Sequence, residues 1–195
     1  MRDETGRHVP PLFLTRLSRL SLSDKEMLRR LTRGRGFNPS ITMGVAERCR
    51  FGFARVLACA PVSRDLRPFP TTFWLVCPWL MRRAGAAESE GGVRELEDWL
   101  SERKRKEWRA YNVFHQILRL NLLPPGTSDF MRRFHPALFD GLRLGGVGGI
   151  RFGAHIRVKC LHLQAASWLG LGHHPGAEWL IEKGLCGDCG GGCCV

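Results

Sequence analysis

The segment Phe73-Trp-Leu-Val-Cys-Pro78 decides the fold class, because it joins a strand pattern directly to a helix start. Residues 73–76 are aromatic or aliphatic and follow a proline-containing turn, a composition typical of a short strand. Proline is favoured at the first position of a helix, so Cys77 is predicted to lie at a helix N-terminus. The segment therefore predicts a domain that contains both strands and helices.

A second strand is predicted upstream, over residues 54–59. This stretch is rich in small and branched apolar residues and lies between Gly52 and Pro61. We expect it to pair with residues 73–76 as a hairpin, connected by a loop over 61–72. Cys59 lies within the apolar run and is interpreted as a small buried hydrophobe.

The other periodic segments predict helices. Ser23-Asp-Lys-Glu26 has the form of a capping box, which predicts a helix over 24–32. Heptad-like apolar spacing predicts one long helix over 93–122, and further helical segments are predicted within 129–144, over 159–169 and over 175–183. The glycine-rich segment 145–150 lacks the Gly-Lys-Ser/Thr ending of a phosphate loop and is interpreted as a tight turn.

Together these elements predict an α+β fold: a mainly helical single domain with a short two-stranded hairpin. A length of 195 residues suits one domain. The expected boundaries are an N-terminal tail over 1–22, a globular domain over 23–184 and a Cys/Gly-rich C-terminal tail over 185–195. The first residues mix charges and the longest apolar run is short, so we expect a cytoplasmic protein without a membrane span.

The chain is strongly basic, with a formal net charge of +12 and a pI near 10.1. Such a charge favours an acidic partner, and nucleic-acid binding is one functional hypothesis. The candidate contacts form two clusters: Arg29, Arg30, Arg33 and Arg35, and Arg103, Lys104, Arg105 and Lys106. Arginine greatly outnumbers lysine, a bias that a GC-rich genome also produces, and charge runs are commonly solvated helix faces.

Eight cysteines favour a different hypothesis, metal binding. In a reducing compartment, clustered thiols point to metal sites more than to disulfides. Cys186-Gly-Asp-Cys189 has the spacing with which two thiolates reach one zinc ion, and Cys160 and His162 would complete the ligand set. Alternatively, Cys49, Cys77, Cys160 and a tail cysteine supply the four thiolates of an iron–sulfur cluster. The competing interpretation is that these cysteines are small buried hydrophobes.

A thiol-dependent enzyme is the third hypothesis. A cysteine at a helix N-terminus has its thiolate favoured by the helix dipole, which makes Cys77 the candidate nucleophile. Cys160 and His162 are two residues apart on a predicted helix, so their side chains are expected to point in different directions rather than form a nucleophile–base pair.

Three segments resemble a bacterial family named domain of unknown function 501. They are Arg48-Cys49; the run from Pro68 to Pro78 with the later Glu90-Gly-Gly and Leu96-Glu97; and Gly146-Val-Gly-Gly-Ile150 running to Lys159-Cys-Leu-His162. The resemblance covers roughly residues 49–177. It implies a small cytosolic bacterial protein and marks Cys49, Cys77, Cys160 and His162 as motif positions. Of these, the three cysteines are expected to meet in space, but the resemblance implies no activity.

The chain also departs from the family pattern. Family members carry histidines where this chain has Gln164 and Ser167, and Asn-Pro where it has His174-Pro175. If those histidines bind metal or move protons, either this chain is altered or His173 and His174 compensate.

Overall fold

The computed structural model describes residues 16–32, 37–153 and 155–190. Within these residues it confirms the predicted α+β class, with a mainly helical single domain. The strands are β1 (Thr42–Arg48), β2 (Ala54–Cys59) and β3 (Phe73–Leu75). The α-helices are α1 (Leu22–Thr32), α2 (Pro78–Ser89), α3 (Gly92–Arg103), α4 (Arg105–Asn121), α5 (Thr127–Phe134), α6 (Pro136–Leu144), α7 (Leu161–Leu171) and α8 (Ala177–Glu182).

The sheet has three strands in the order β1-β2-β3, and both pairings are antiparallel. The predicted hairpin is present as β2 and β3, with Val56 opposite Leu75. The expectation of two strands is corrected by β1, which pairs with the other edge of β2. The β1–β2 register shifts at three places, so β1 lacks the strict alternation by which a strand is recognised in sequence.

Strand β2 is buried along its whole length because both faces of the sheet are covered. Val56 belongs to the main core, which is built with α2, α3, α4 and α7. Leu57 and Cys59 face a second core that includes Met27 of α1 and Phe37. The prediction that Cys59 is a buried hydrophobe is confirmed, and burial raises the pKa of its thiol.

Helix α7 is the central element of the main core and contacts all three strands as well as α2. It lies close to the sheet at Gly170, where a Cβ atom would lie 2.3 Å from the ring of Phe73. A larger residue would therefore force the helix away from β3.

Several helix limits differ from those predicted. The predicted helix over 93–122 is two helices, α3 and α4, which meet at Lys104 in a non-helical conformation (φ −137°, ψ 31°). The segment 129–144 belongs to two helices, and α7 and α8 each begin two residues later than predicted. The tight turn over 145–150 is confirmed, with Gly148 and Gly149 at positive φ. None of the described helices combines the length and apolar character that a membrane span requires.

The capping box of α1 is formed by Ser21 and Asp24, not by Ser23 and Glu26 as predicted. The Asp24 carboxylate accepts a hydrogen bond from Ser21 N (2.8 Å), and the Ser21 hydroxyl accepts one from Asp24 N (3.1 Å). Glu26 instead pairs with Arg29 and Arg30 on the exposed face. Two Ser-x-x-acid patterns overlap here, and the acid that is buried forms the cap.

Asp24 also ties α1 to the sheet. Its carboxylate accepts hydrogen bonds from both terminal nitrogens of Arg48 (2.9 and 3.2 Å) and from the amide of Ala54 (3.0 Å). Burial raises the pKa of this carboxyl, but the hydrogen bonds from Arg48, Ser21 and Ala54 outweigh burial, so the net pKa is lowered.

We predict that Asp24→Ala lowers the free energy of unfolding by about 3 kcal/mol or more, because it leaves a cap and a sheet amide without their acceptor and breaks a largely buried ion pair. Urea denaturation measures the loss. Asp140→Ala is the control, since Asp140 forms an exposed pair with Arg143 one turn along α6, and its loss is expected to stay below about 1 kcal/mol. Equal losses in the two variants would contradict the role given to Asp24.

Candidate functional site

Three residues with metal-binding side chains meet where α2 ends and α7 begins. Glu88 lies in the last turn of α2, Cys160 is the N-cap of α7, and His162 is its second residue. One carboxylate oxygen, the thiol sulfur and one imidazole nitrogen all lie within 4.8 Å of one another. In the described part of the chain, no other three His, Cys, Asp or Glu side chains are grouped in this way.

Glu88 is placed here by the unsatisfied amides of α7. Its Oε1 accepts hydrogen bonds from Leu161 N (2.6 Å) and His162 N (3.3 Å). A carboxylate at a helix N-terminus is stabilised by these amides and by the helix dipole. The cap of α7 is thus supplied by α2, more than 70 positions earlier in the chain, and not by a neighbouring residue.

The same carboxylate oxygen fixes the orientation of the His162 ring, because it lies 2.9 Å from Nδ1. A carboxylate only accepts hydrogen bonds, so Nδ1 carries the proton and donates it to Glu88. The lone pair of a neutral His162 therefore resides on Nε2. Histidines that bind metals commonly have this arrangement, with one nitrogen on a carboxylate and the other toward the ion.

The expectation that Cys160 and His162 point apart is wrong. Cys160 has extended backbone angles (φ −165°, ψ 157°) because it precedes the helix, so helical spacing does not apply to this pair. Burial raises the pKa of the Cys160 thiol and the negative charge of Glu88 adds to the increase; the amides of Leu163 and His162 and the charge of Lys159 lower it by less. The net shift favours the protonated thiol over a preformed thiolate nucleophile.

The other predicted ligands lie outside this group. Cys77 is the N-cap of α2, as predicted, and is buried in the main core, while Cys49 is buried just after β1. Cys186 and Cys189 lie in the segment after α8, where Arg55 donates to the carbonyl of Cys186 (2.8 Å). The structure thus brings Cys160 and His162 close together. Metal binding by Cys49, Cys77, Cys186 and Cys189 remains a prediction.

The structure describes part of the two predicted basic clusters. Arg29 and Arg30 pair with Glu26, and Arg33 and Arg35 lie outside the described residues. Arg103 stacks over the ring of Trp99 (5.6 Å), whereas Lys104, Arg105 and Lys106 form the junction and the first turn of α4.

A buried network of polar side chains lies between α4 and α7. It includes positions at which this chain departs from the family pattern. His174 Nε2 lies 3.0 Å from Gln164 Oε1, so two of the departing positions contact each other. His174 Nδ1 accepts a hydrogen bond from Gly176 N (2.9 Å), which places the proton on Nε2. The Tyr111 ring packs edge-on against both His115 and His174.

The histidines of this network are held neutral. Burial lowers the pKa of His115 to about 3, and the charge of Arg119 adds to the shift. Burial also lowers the pKa of His174 to about 3, with smaller contributions from His115 and His173. A second proton on His174 would remove the acceptor that Gly176 N requires.

Comparison with known proteins identifies a family to which the sequence is similar. The family model described as Protein of unknown function (DUF501) matches residues 45–182, which is more than half of the chain. The chain belongs to this family. The match begins within β1 and includes β2, β3, the Glu88–Cys160–His162 group and the buried network. Comparisons with curated proteins and with solved structures give no match.

The neutral histidines predict a loss of stability in mild acid. An unfolded histidine binds a proton below about pH 6.5, whereas His115 and His174 do not until about pH 3. The unfolded chain then carries more protons, so the free energy of unfolding falls as the pH falls, by up to about 1.4 kcal/mol per pH unit for each histidine. Urea denaturation between about pH 6.5 and pH 5 measures this slope.

His174→Gln should remove the contribution of one histidine to that slope, up to about 1.4 kcal/mol per pH unit, whatever the substitution does to stability at neutral pH. His173→Gln is the control, because His173 is exposed and adjacent in sequence. An unchanged slope in His174→Gln would show that His174 titrates in the folded protein as it does in the unfolded chain.

Proposed function

We propose that the protein binds a divalent transition metal ion, with Zn²⁺ as the best match, through Glu88, Cys160 and His162. The observation that carries the proposal is the convergence of a carboxylate oxygen, a sulfur and an imidazole nitrogen within 4.8 Å at one helix start. Zinc takes this mixture of donors, and sulfur and imidazole together select against magnesium and calcium.

The number and exposure of the donors support an open site. Side-chain exposure is 26% for Glu88 and 32% for His162, so an ion has access from solvent. With Glu88 as a direct ligand, three protein donors leave a fourth position of a tetrahedral ion for water or another ligand, as in catalytic rather than structural zinc sites. An iron–sulfur cluster commonly requires four thiolates, and Cys160 is the single cysteine of the group, which favours zinc.

The protonation states are also consistent with a metal site. The raised pKa keeps Cys160 a thiol in the free protein, and a bound cation favours loss of that proton. Glu88 either ligates the ion directly or holds Nδ1 of His162 while Nε2 ligates it. The first arrangement supplies three protein donors to the ion, and the second supplies two, with Glu88 orienting His162.

Titration of metal-free protein with Co²⁺ and Zn²⁺ tests the proposal. We expect one equivalent to bind, and the Co²⁺ complex to show a sulfur-to-metal charge-transfer band and the d–d bands of a tetrahedral site. Cys160→Ser should remove the charge-transfer band, and His162→Ala should abolish stoichiometric binding. Glu88→Gln should weaken binding by about 10- to 100-fold or more.

Cys186→Ser is the matched control, because Cys186 is also a partly exposed cysteine but lies outside the group. Circular dichroism of each metal-free variant separates loss of binding from loss of the α7 cap. Absence of stoichiometric binding would contradict the proposal. Loss of binding in Cys186→Ser with retention in Cys160→Ser would move the site to the C-terminal segment.

A further inference from the structure

A cleft distinct from the metal-binding group lies between α4 and the chain that precedes α7. It has a volume of about 180 Å³. Arg105, Trp108 and Arg109 line one side, and Arg151, His155 and Arg157 line the other. No carboxylate is among the described residues that line it.

The first wall is one face of α4. Arg105, Trp108, Arg109 and Asn112 follow the i, i+3, i+4, i+7 spacing that places side chains on the same side of a helix. Trp108 is buried at 4% exposure and anchors this face in the main core, while the two arginines reach solvent.

The glycine turn that precedes the second wall is held against α4 by Asn112. Asn112 Oδ1 accepts a hydrogen bond from Val147 N (3.0 Å), and its amide nitrogen donates to Trp108 O (2.8 Å). A Cβ atom at Gly146 would lie 2.2 Å from Asn112 Oδ1, so the close approach of turn and helix requires glycine. Packing against α4 therefore fixes the point at which the second wall begins.

Three of the arginines that line the cleft have no carboxylate partner among the described residues. Within the described residues, Arg109, Arg151 and Arg157 form no ion pair, whereas the exposed Arg132 and Arg143 each pair with an aspartate one turn earlier. Converging like charges repel one another, and an anion bound between them relieves that repulsion.

We infer that this cleft binds a phosphoryl group. Arginine presents several N–H donors in a planar fork that matches phosphate oxygens, and it is the residue commonly used where such groups are recognised. The cleft is smaller than the roughly 300–1,000 Å³ of sites that enclose whole ligands. It therefore takes the phosphoryl end of a ligand whose remainder lies outside.

Two sources carry this chemistry: a free phosphomonoester and the backbone of a nucleic acid. Arg103, Lys104 and Lys106 adjoin the cleft residue Arg105 in sequence and extend the positive charge beyond the cleft. Phe152, which lines the cleft and is 44% exposed, offers a surface for a base or another flat group. The inference does not depend on metal binding at Glu88, Cys160 and His162.

The test measures binding of inorganic phosphate and a nucleoside monophosphate by calorimetry, and of a short single-stranded RNA by fluorescence anisotropy, at low ionic strength. We expect at least one of these probes to bind, with an affinity that falls as salt is added. The double variant Arg109→Gln/Arg151→Gln should weaken binding by about tenfold or more for each arginine removed.

Arg132→Gln/Arg143→Gln is the matched control, because it removes the same formal charge from paired arginines outside the cleft. If the cleft variant loses binding, the probe identifies the ligand. Binding of the monophosphate alone would identify a small phosphomonoester, and binding of RNA alone would identify a nucleic-acid backbone. Equal losses in the two double variants, or no binding of any probe, would overturn the inference.

Discussion

Helix α7 has almost no polar face, so the fold has to enclose it. Its residues are mostly aliphatic or small, and six of its first seven positions are buried. The sheet covers one side of the helix and α2 covers another. At the first turn of the helix, the amides of Leu161 and His162 have no hydrogen-bond acceptor within the helix, so enclosing the helix requires an acceptor from elsewhere. Glu88 meets that requirement, and the carboxylate comes to lie beside Cys160 and His162 as a consequence.

The same enclosure determines how polar residues of α7 behave. Gln164 and Ser167 are buried, and His174 and Tyr111 face them from outside the helix, so this interior is polar but carries no charge. Arg119 is the contrasting case, with 1% exposure. Its guanidinium donates to the carbonyls of Gly145, Gly146 and Pro70, which replace water as hydrogen-bond acceptors, and burial lowers its pKa to about 10.

Local patterns in the sequence were sufficient for β2, β3 and the start of α2, because each depends on residues close together in the chain. They failed for β1, where bulges break the alternation, and for the α1 cap, where two overlapping patterns compete. They also failed at Lys104, because the basic residues around it gave no sign of a helix break. In each case two local structures fit the sequence equally well, and tertiary packing determines which one forms.

The candidate site also depends on tertiary packing that local sequence patterns do not reveal. Cys160 and His162 were identifiable as possible ligands, but their meeting depends on a single residue, the N-cap, whose backbone is extended. Glu88 gave no signal at all, because its role exists only once α2 and α7 are packed. Gln164 and His174 were each identified as departures from the family pattern, but their contact was not predicted, because it depends on how the chain after α7 folds back onto the helix.

The two surfaces share one segment of chain but are built differently. The Glu97 carboxylate accepts a hydrogen bond from Val158 N (2.7 Å), and the Glu88 carboxylate accepts one from Leu161 N. The backbone is therefore fixed on both sides of Cys160. Among the described residues of 151–157, no backbone group is hydrogen-bonded to another backbone group. That wall of the cleft is expected to adjust at a lower free-energy cost than the helix start. A metal ion requires fixed donors, whereas long arginine side chains tolerate such adjustment, so each surface has the stiffness that its proposed ligand requires.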